Sequence, residues 1–85
     1  MEKGLLDVQV HFSSLIDRRH FQGKAVSVTS ENDLGRFDIL YNHSNFITLI
    51  YDELIIQTPK GEVDYQFERG VMKVKENRVN IFLGL

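Results

Sequence analysis

The strongest constraint in this 85-residue sequence is a period of two in its hydrophobic residues. Apolar side chains occupy every second position in several short stretches, and mostly polar or small side chains stand between them. Because successive side chains of a strand point to opposite faces of a sheet, this period predicts strands with one buried and one solvated face. Five groups show it: Leu6, Val8, Val10 and Phe12; Val26 and Val28; Val63, Tyr65 and Phe67; Met72 and Val74; Val79, Ile81 and Leu83.

Turn residues separate these stretches in the way that hairpins require. Pro59 fixes φ at one turn position and Gly61 accepts a positive φ, so we expect a hairpin between strands 53–58 and 62–69. We interpret residues 14–22 as a short strand and turn, because they lack a sustained helical period.

Two further signals lie near the end of the sequence. Gly70 predicts a bulge or corner between strands 62–69 and 71–75. Asn77 tolerates the left-handed region and predicts a turn before strand 78–84. Short strands at this spacing are typical of an all-β antiparallel sandwich or barrel, and we expect a β-sandwich of two packed sheets.

The charge pattern argues against nucleic-acid binding. The chain carries 12 acidic and 10 basic residues, and its formal net charge is −2. Nucleic-acid-binding proteins concentrate Lys and Arg on one face, whereas the basic cluster here is Arg18-Arg19-His20, which we interpret as a solvated strand end or turn. The Phe and Tyr residues could form a base-stacking platform, but no basic groove accompanies them. We therefore expect them to fill the core.

Length and hydropathy indicate one soluble domain that spans residues 1–85. No apolar run approaches the roughly 20 residues that a membrane-spanning helix needs. The N-terminus is too polar and too regularly alternating for a signal peptide. We therefore expect a cytoplasmic protein without direct membrane insertion, which reaches a membrane only through a partner.

The sequence offers little catalytic chemistry. The three histidines, His11, His20 and His43, do not stand at metal-ligand spacing, and the chain has no Cys, so we expect no metal site. No serine lies in a G-x-S-x-G turn, and no Gly-rich phosphate loop is present. Asp52 and Glu53 are adjacent, so in a strand they face opposite sides. We expect neither catalysis nor a cofactor.

Two segments carry a family resemblance. Residues 35–46 read GRFDILYNHSNF, and residues 70–79 read GVMKVKENRV. Together with Leu6-Asp7-Val8 at the opening of a strand, they resemble the β-sandwich domain of the epsilon subunit of F-type ATP synthases, and the resemblance covers essentially the whole chain. The residues around the first segment that match the family pattern are Gly35, Phe37, Ile39, Leu40, His43 and Thr48.

The chain departs from the family pattern around this loop. Arg36 stands where the family has an acidic residue, and Asp38 stands where it has a glycine. Tyr41-Asn42 replaces the Pro-Gly that precedes the histidine. Arg36 thus reverses the charge of the loop, and Asp38 offers an acid two residues further on.

The resemblance implies a non-catalytic rotor subunit of a proton- or sodium-driven ATP synthase. Such a domain binds the gamma subunit and touches the polar loops of the c-ring, so that ion flow is coupled to ATP synthesis. We expect the ring contact at Arg36, Asp38, Asn42 and His43. We expect the gamma contact at Ile55, Val71 and Phe82, with burial in a second core layer as the alternative for these three. An unrelated β-sandwich or barrel interaction module is the alternative function, and it would not bind gamma.

The resemblance also makes the end of the sequence informative. In the family a helical hairpin follows the last strand and carries inhibition and, in some members, nucleotide sensing. The sequence stops at Leu85, directly after the last predicted strand. We therefore expect coupling without inhibition of ATP hydrolysis and without ATP binding. A natural short form and a piece cut at a domain boundary remain open as explanations.

Overall fold

The strands follow from the alternating pattern. The computed structural model describes residues 4–13 and 19–84, and within them the chain forms seven strands and no helix. Residues 14–18, where most of the expected short strand and turn falls, lie outside the described residues. The strands are β1 (Leu6–Phe12), β2 (Phe21–Ala25), β3 (Ser27–Asn32), β4 (Gly35–Leu40), β5 (Phe46–Thr58), β6 (Gly61–Lys75) and β7 (Arg78–Leu83).

All seven described strands belong to one hydrogen-bonded sheet, in the order β2-β1-β7-β6-β5-β3-β4. The predicted all-β fold is confirmed, but the two separate sheets and the purely antiparallel pairing are corrected. One sheet results because β5 and β6 pair along their whole length, from Phe46 opposite Val74 to Thr58 opposite Gly61. β1 pairs in parallel with β7, since the long chain between them supplies the crossover that parallel strands need.

A β-bulge bends the long β5–β6 pair near its middle. Tyr51 faces Arg69 and the next residue, Asp52, faces Phe67, so Glu68 has no residue opposite it. Asp52 adopts a positive φ of 74° at this point. An extra residue on one strand increases the local twist and bend of a sheet.

The bulge also reverses the alternation along β6. Tyr65 faces the core before it, and Met72 and Val74 face the core after it. The irregularity expected at Gly70 therefore exists, two residues earlier. The expected break into strands 62–69 and 71–75 is wrong, because hydrogen bonding to β5 continues across the bulge.

The core contains most of the apolar residues that the alternating groups predicted, but Phe12, Val63 and Phe67 of those groups are only partly buried and Val26 is exposed. It also contains residues outside those groups, which are Ala25, Ile39, Ile50, Leu54 and Ile56. Val26 is 41% exposed at a bend between β2 and β3, while Ala25 and Val28 on either side are fully buried. The Val26 N–H donates to the Gln57 carbonyl at 2.7 Å, which fixes this bend. The buried apolar residues are Leu6, Val8, Val10, Ala25, Val28, Ile39, Ile50, Leu54, Ile56, Tyr65, Met72, Val74, Val79, Ile81 and Leu83.

Aromatic side chains close the margins of this core. Phe12, Phe21, Phe37, Phe46 and Phe67 are partly buried and pack against the buried cluster. The interpretation of the aromatic residues as core filling therefore holds for these five. Phe82 differs, because it is 43% exposed on the outer face of β7.

We predict that Gly70→Ala destabilises the domain. A Cβ atom at Gly70 would lie 2.6 Å from the Phe82 carbonyl oxygen and 2.8 Å from Leu83 Cδ2. Overpacking of this kind costs about 1–3 kcal/mol of unfolding free energy. Urea denaturation measures the change, with Lys73→Ala on the exposed face of the same strand as the control. Equal stability of the two variants would contradict the close approach of β6 and β7.

Candidate functional site

The loop that connects β4 to β5 is held by a pair of asparagines. Asn42 and Asn77 both adopt a positive φ, 67° and 65°, a conformation that Asn accepts more readily than most residues. The Asn42 N–H donates to Asn77 Oδ1 at 2.6 Å, and Asn77 Nδ2 donates to Asn42 Oδ1 at 3.4 Å. The β4–β5 loop is thereby fastened to the β6–β7 turn.

Further contacts gather the same loop, turn and first strand into one end of the molecule. The Glu76 N–H donates to Asn45 Oδ1 at 3.1 Å, and the Asp7 N–H donates to the Asn77 carbonyl at 2.8 Å. The Tyr41 ring packs so closely against Gly4 that a side chain at residue 4 would collide with it. We call residues 41–45 and 76–77 the loop end.

His43 is half-buried and is part of the loop's own structure. Its Nδ1 lies 2.7 Å from the Ser44 carbonyl oxygen, and its N–H donates to the Leu40 carbonyl at 3.0 Å. The imidazole also packs beside Phe46, with 5.2 Å between ring centroids. These contacts hold the His43 ring against its own loop.

Arg36 and Asp38 lie in strand β4 and not in the loop with Asn42 and His43. Arg36 Nη2 lies 3.3 Å from Glu53 Oε1, and Asp38 Oδ1 accepts a hydrogen bond of 2.5 Å from Thr29 Oγ1. The four residues predicted for the ring contact therefore divide into two pairs. The reason is that the preceding turn falls at residues 33–34, so β4 already begins at Gly35.

This turn carries an exposed apolar residue that sequence reasoning missed. Leu34 is 97% exposed at the tip of the β3–β4 hairpin. Its N–H donates to Asn32 Oδ1 at 2.9 Å, which holds the tip in shape. The sequence does contain a turn signal here, because Asn32-Asp33 precedes Leu34-Gly35 and Asn, Asp and Gly are typical turn residues.

A row of apolar side chains crosses the outer face of β5, β6 and β7. Leu49 lies opposite Val71, and Val71 lies opposite Phe82. Ile47 extends the row along β5 and is 66% exposed, while Leu49 is 49% exposed. We call Ile47, Leu49, Val71 and Phe82 the outer apolar patch. Beyond it on β1, the His11 ring stacks on Phe82 with 5.0 Å between centroids and 19° between planes.

Ile55, the third residue expected to contact gamma, does not belong to this patch. It lies on β5 between Thr29 of β3 and Asp64 of β6 and is half-buried. The bulge at Tyr51 and Asp52 separates it from Leu49. Val71 and Phe82 are brought together as neighbours, and Ile47 and Leu49 join them. The period of two also places Ile47 and Leu49 on the outer face, because the next residue along β5, Ile50, faces the core.

Acidic residues lie beside Ile55 on its β6 side of the outer face. Partial loss of hydration raises the pKa of Asp64, and a hydrogen bond and charge repulsion from Glu53 raise it further. Repulsion from Glu62 acts in the same direction, whereas the Arg36 guanidinium lowers it. The sheet thus presents an apolar outer surface on one side of the bulge and an acidic one on the other.

Within residues 4–13 and 19–84, no group of three or more His, Asp or Glu side chains is placed to hold one metal ion. No helix in that part of the chain is long and apolar enough to cross a membrane.

Comparison with known protein families identifies one family that matches most of the chain. The family profile described as "ATP synthase, Delta/Epsilon chain, beta-sandwich domain" matches residues 14–83. No curated protein matches this chain by sequence.

Solved structures show the same fold at low sequence identity. A chain of the Tetrahymena thermophila mitochondrial ATP synthase central stalk and c-ring superposes with a TM-score of 0.74 at 14% identity. It matches 98% of the present chain and 66% of its own length. A chain of the Euglena gracilis mitochondrial ATP synthase assembly of OSCP, F1 and c-ring gives 0.70 at 16% identity, over 96% and 54% of the two chains. The present chain thus spans between half and two thirds of these relatives.

We predict that Asp64→Asn raises the midpoint temperature of unfolding at neutral pH. Because the folded state raises this pKa, ionised Asp64 is less favourable in the folded chain than in the unfolded chain. That penalty exists above the raised pKa and disappears as the pH falls through it. The variant and the parent should therefore converge at about pH 3, where the carboxyl is protonated in both states. Thermal unfolding at several pH values measures this.

The control for this prediction is Asp33→Asn, which changes an exposed acid at the hairpin tip. It removes the same charge from the chain without touching the Asp64 cluster. If Asp64→Asn lowered the neutral midpoint, or if Asp33→Asn raised it equally, local repulsion at Asp64 would be excluded as the cause.

Proposed function

The chain belongs to the family of ATP synthase delta/epsilon chain β-sandwich domains, and we propose that it is a non-catalytic central-stalk subunit of an F-type ATP synthase. In this proposal it binds gamma through the outer apolar patch and meets the polar loops of the c-ring through the loop end. It is peripheral to the membrane through that complex and transmits rotation without chemistry of its own. The single observation that carries the proposal beyond the family is the outer apolar patch.

The outer apolar patch has the anatomy of a protein interface. Exposed Leu49, half-buried Val71 and exposed Phe82 lie side by side on three adjacent strands, a contiguity that soluble monomers usually avoid. Polar residues border it, since Lys73 lies opposite Ile47 and Asn80 lies opposite Lys73. An apolar centre with a polar rim is the usual arrangement of a stable interface.

The position of this patch in the sheet suits the transfer of torque. β6 and β7 are interior strands, each paired on both sides along the sheet. A load applied at Val71 or Phe82 is therefore distributed over several hydrogen-bonded neighbours. Strands at the margin of a sheet, in contrast, have a paired neighbour on one side only.

The loop end suits a polar partner. Its backbone is held by the Asn42–Asn77 pair and by Asn45, so little conformational freedom is lost on binding. His43 and the neighbouring Ser44 and Asn45 supply donors and acceptors for polar loops of the c-ring. A ring contact that also includes Arg36 and Asp38 has to extend from this end along the outer face of β4.

We predict that Phe82→Ser weakens binding to gamma by about 10–100-fold, as expected for loss of an aromatic hot spot. Val26→Ser is the matched control, because Val26 is 41% exposed and lies outside the patch while Phe82 is 43% exposed. Co-purification and calorimetry with gamma from the same source, followed by native mass measurement, test both variants. Equal loss in both variants, or none in Phe82→Ser, would remove the outer apolar patch as the gamma site.

We predict that His43→Ala weakens attachment to a rotor assembly of gamma and c-ring about three- to tenfold, the value of one lost hydrogen bond. Binding to isolated gamma should not change, since the loop end is not part of the outer apolar patch. Ser44→Ala, an exposed neighbour in the same loop, is the control. If His43→Ala unfolded the domain, His43 would be a structural turn residue and not a contact residue.

A further inference from the structure

Strand β4 is an open edge of the sheet. It lies at one end of the strand order and pairs only with β3 among the described strands. Prolines and β-bulges are two of the devices that protect the edges of sheets from pairing. β4 contains no proline and no break in its register with β3. Its one free side is therefore a template for another strand.

The hairpin geometry fixes which backbone groups face that free side. The two-residue turn closes at Asn32 and Gly35, which face each other across the ladder. In an antiparallel pair every second residue directs its N–H and C=O to the partner strand. Gly35, Phe37 and Ile39 thus face β3, whereas Arg36, Asp38 and Leu40 direct theirs outward.

We propose that β4 pairs antiparallel with β4 of a second copy of this chain, about a two-fold axis that passes through Phe37. This register places Arg36 opposite Asp38 of the second copy, and Asp38 opposite its Arg36. It also places Leu34 opposite Leu40 of the second copy. A two-fold interface must be self-complementary in this way, because each surface meets its own image.

The backbone groups agree with this register. Arg36 and Asp38 direct N–H and C=O outward, so each Arg36–Asp38 pair forms two hydrogen bonds. The Leu34 N–H is already bound to Asn32 and the Leu40 carbonyl to His43. The Leu40 N–H faces outward with the rest of β4 and remains available to donate to the second copy.

The side chains agree as well. Arg36, Asp38 and Leu40 alternate onto the outer face of β4, Leu34 precedes them at the turn, and all four are exposed. The pairing joins opposite charges twice and covers Leu34 and Leu40, which are 97% and 54% exposed. Cross-strand pairs of both kinds stabilise antiparallel sheets. On the inner face, half-buried Phe37 meets its own image at the axis.

Existing contacts leave these groups available. Arg36 reaches Glu53 through Nη2 at 3.3 Å, and a guanidinium has further donors for a second carboxylate. Asp38 accepts from Thr29 through Oδ1, which leaves Oδ2 for a partner. The other open edge, β2, lacks this match, because a two-fold axis through Gly23 sets Lys24 opposite Gln22.

The experiment measures the mass of the isolated, folded chain by sedimentation, from low micromolar to near-millimolar concentration. The parent chain should pass from monomer to dimer. Arg36→Asp and Asp38→Arg each place like charges opposite each other, so each should raise the dimer dissociation constant about tenfold or more. The double variant, with Arg36→Asp and Asp38→Arg together, restores opposite charges and should dimerise again.

Mixing the two single variants gives the most discriminating test of the proposed register. In the proposed register they complement each other at both positions, so native mass measurement should show a one-to-one heterodimer of two poor homodimers. Lys73→Asp, an equal charge change on the outer face of β6, is the control and should dimerise like the parent. Circular dichroism checks that every variant is folded.

Several outcomes would overturn the proposal. They are a parent chain that stays monomeric throughout, single variants that dimerise like the parent, or a mixture that yields no heterodimer. Loss of the dimer in Phe82→Ser with retention in Arg36→Asp would move the interface to the outer apolar patch. β4 and the turn residue Leu34 share no residue with the outer apolar patch, so self-pairing and gamma binding are tested separately.

Discussion

The architecture depends on the continuous pairing of β5 with β6. These strands of 13 and 15 residues are the longest described, and they carry the sheet from one half of the molecule to the other. The bulge at Glu68 bends the pair without interrupting it. A single bent sheet can thus enclose a core on its inner face. Two separate sheets would each have two edge strands of their own.

The same bulge gives the outer surface two different characters. Before it on β5 lie Ile47 and Leu49, which join Val71 and Phe82 across the sheet. After it lies Ile55, whose neighbours include Asp64 and Glu53. An apolar partner and a charged partner would therefore meet different parts of one rigid body. A domain of this size can in this way serve more than one neighbour without a hinge.

The period of two predicted most of the core, because alternation is a local property that each strand carries in its own sequence. It placed Val8, Met72 and Ile81 correctly. It failed at Val26, where a bend ends the period. It could not show whether the strands form one sheet or two, since this depends on pairing between residues far apart in the chain.

The candidate site was predictable to a lesser degree. Asn42 and His43 do lie in a loop as expected, but Arg36 and Asp38 are strand residues, since the turn is two residues long and ends before Gly35. Ile55 was grouped with Val71 because the bulge between them leaves no clear mark in the sequence. The partner of Asn42, Asn77, is 35 residues away.

The parallel pairing of β1 with β7 has a consequence for the order in which the molecule can be made. The β1–β2 hairpin contains the first described strands, yet it joins the hydrogen-bonded sheet only through β7, the last of them. During synthesis this hairpin must wait until residues 78–83 have left the ribosome. Contacts of such long sequence separation slow folding, so the nascent domain is exposed to other chains for longer than its size suggests.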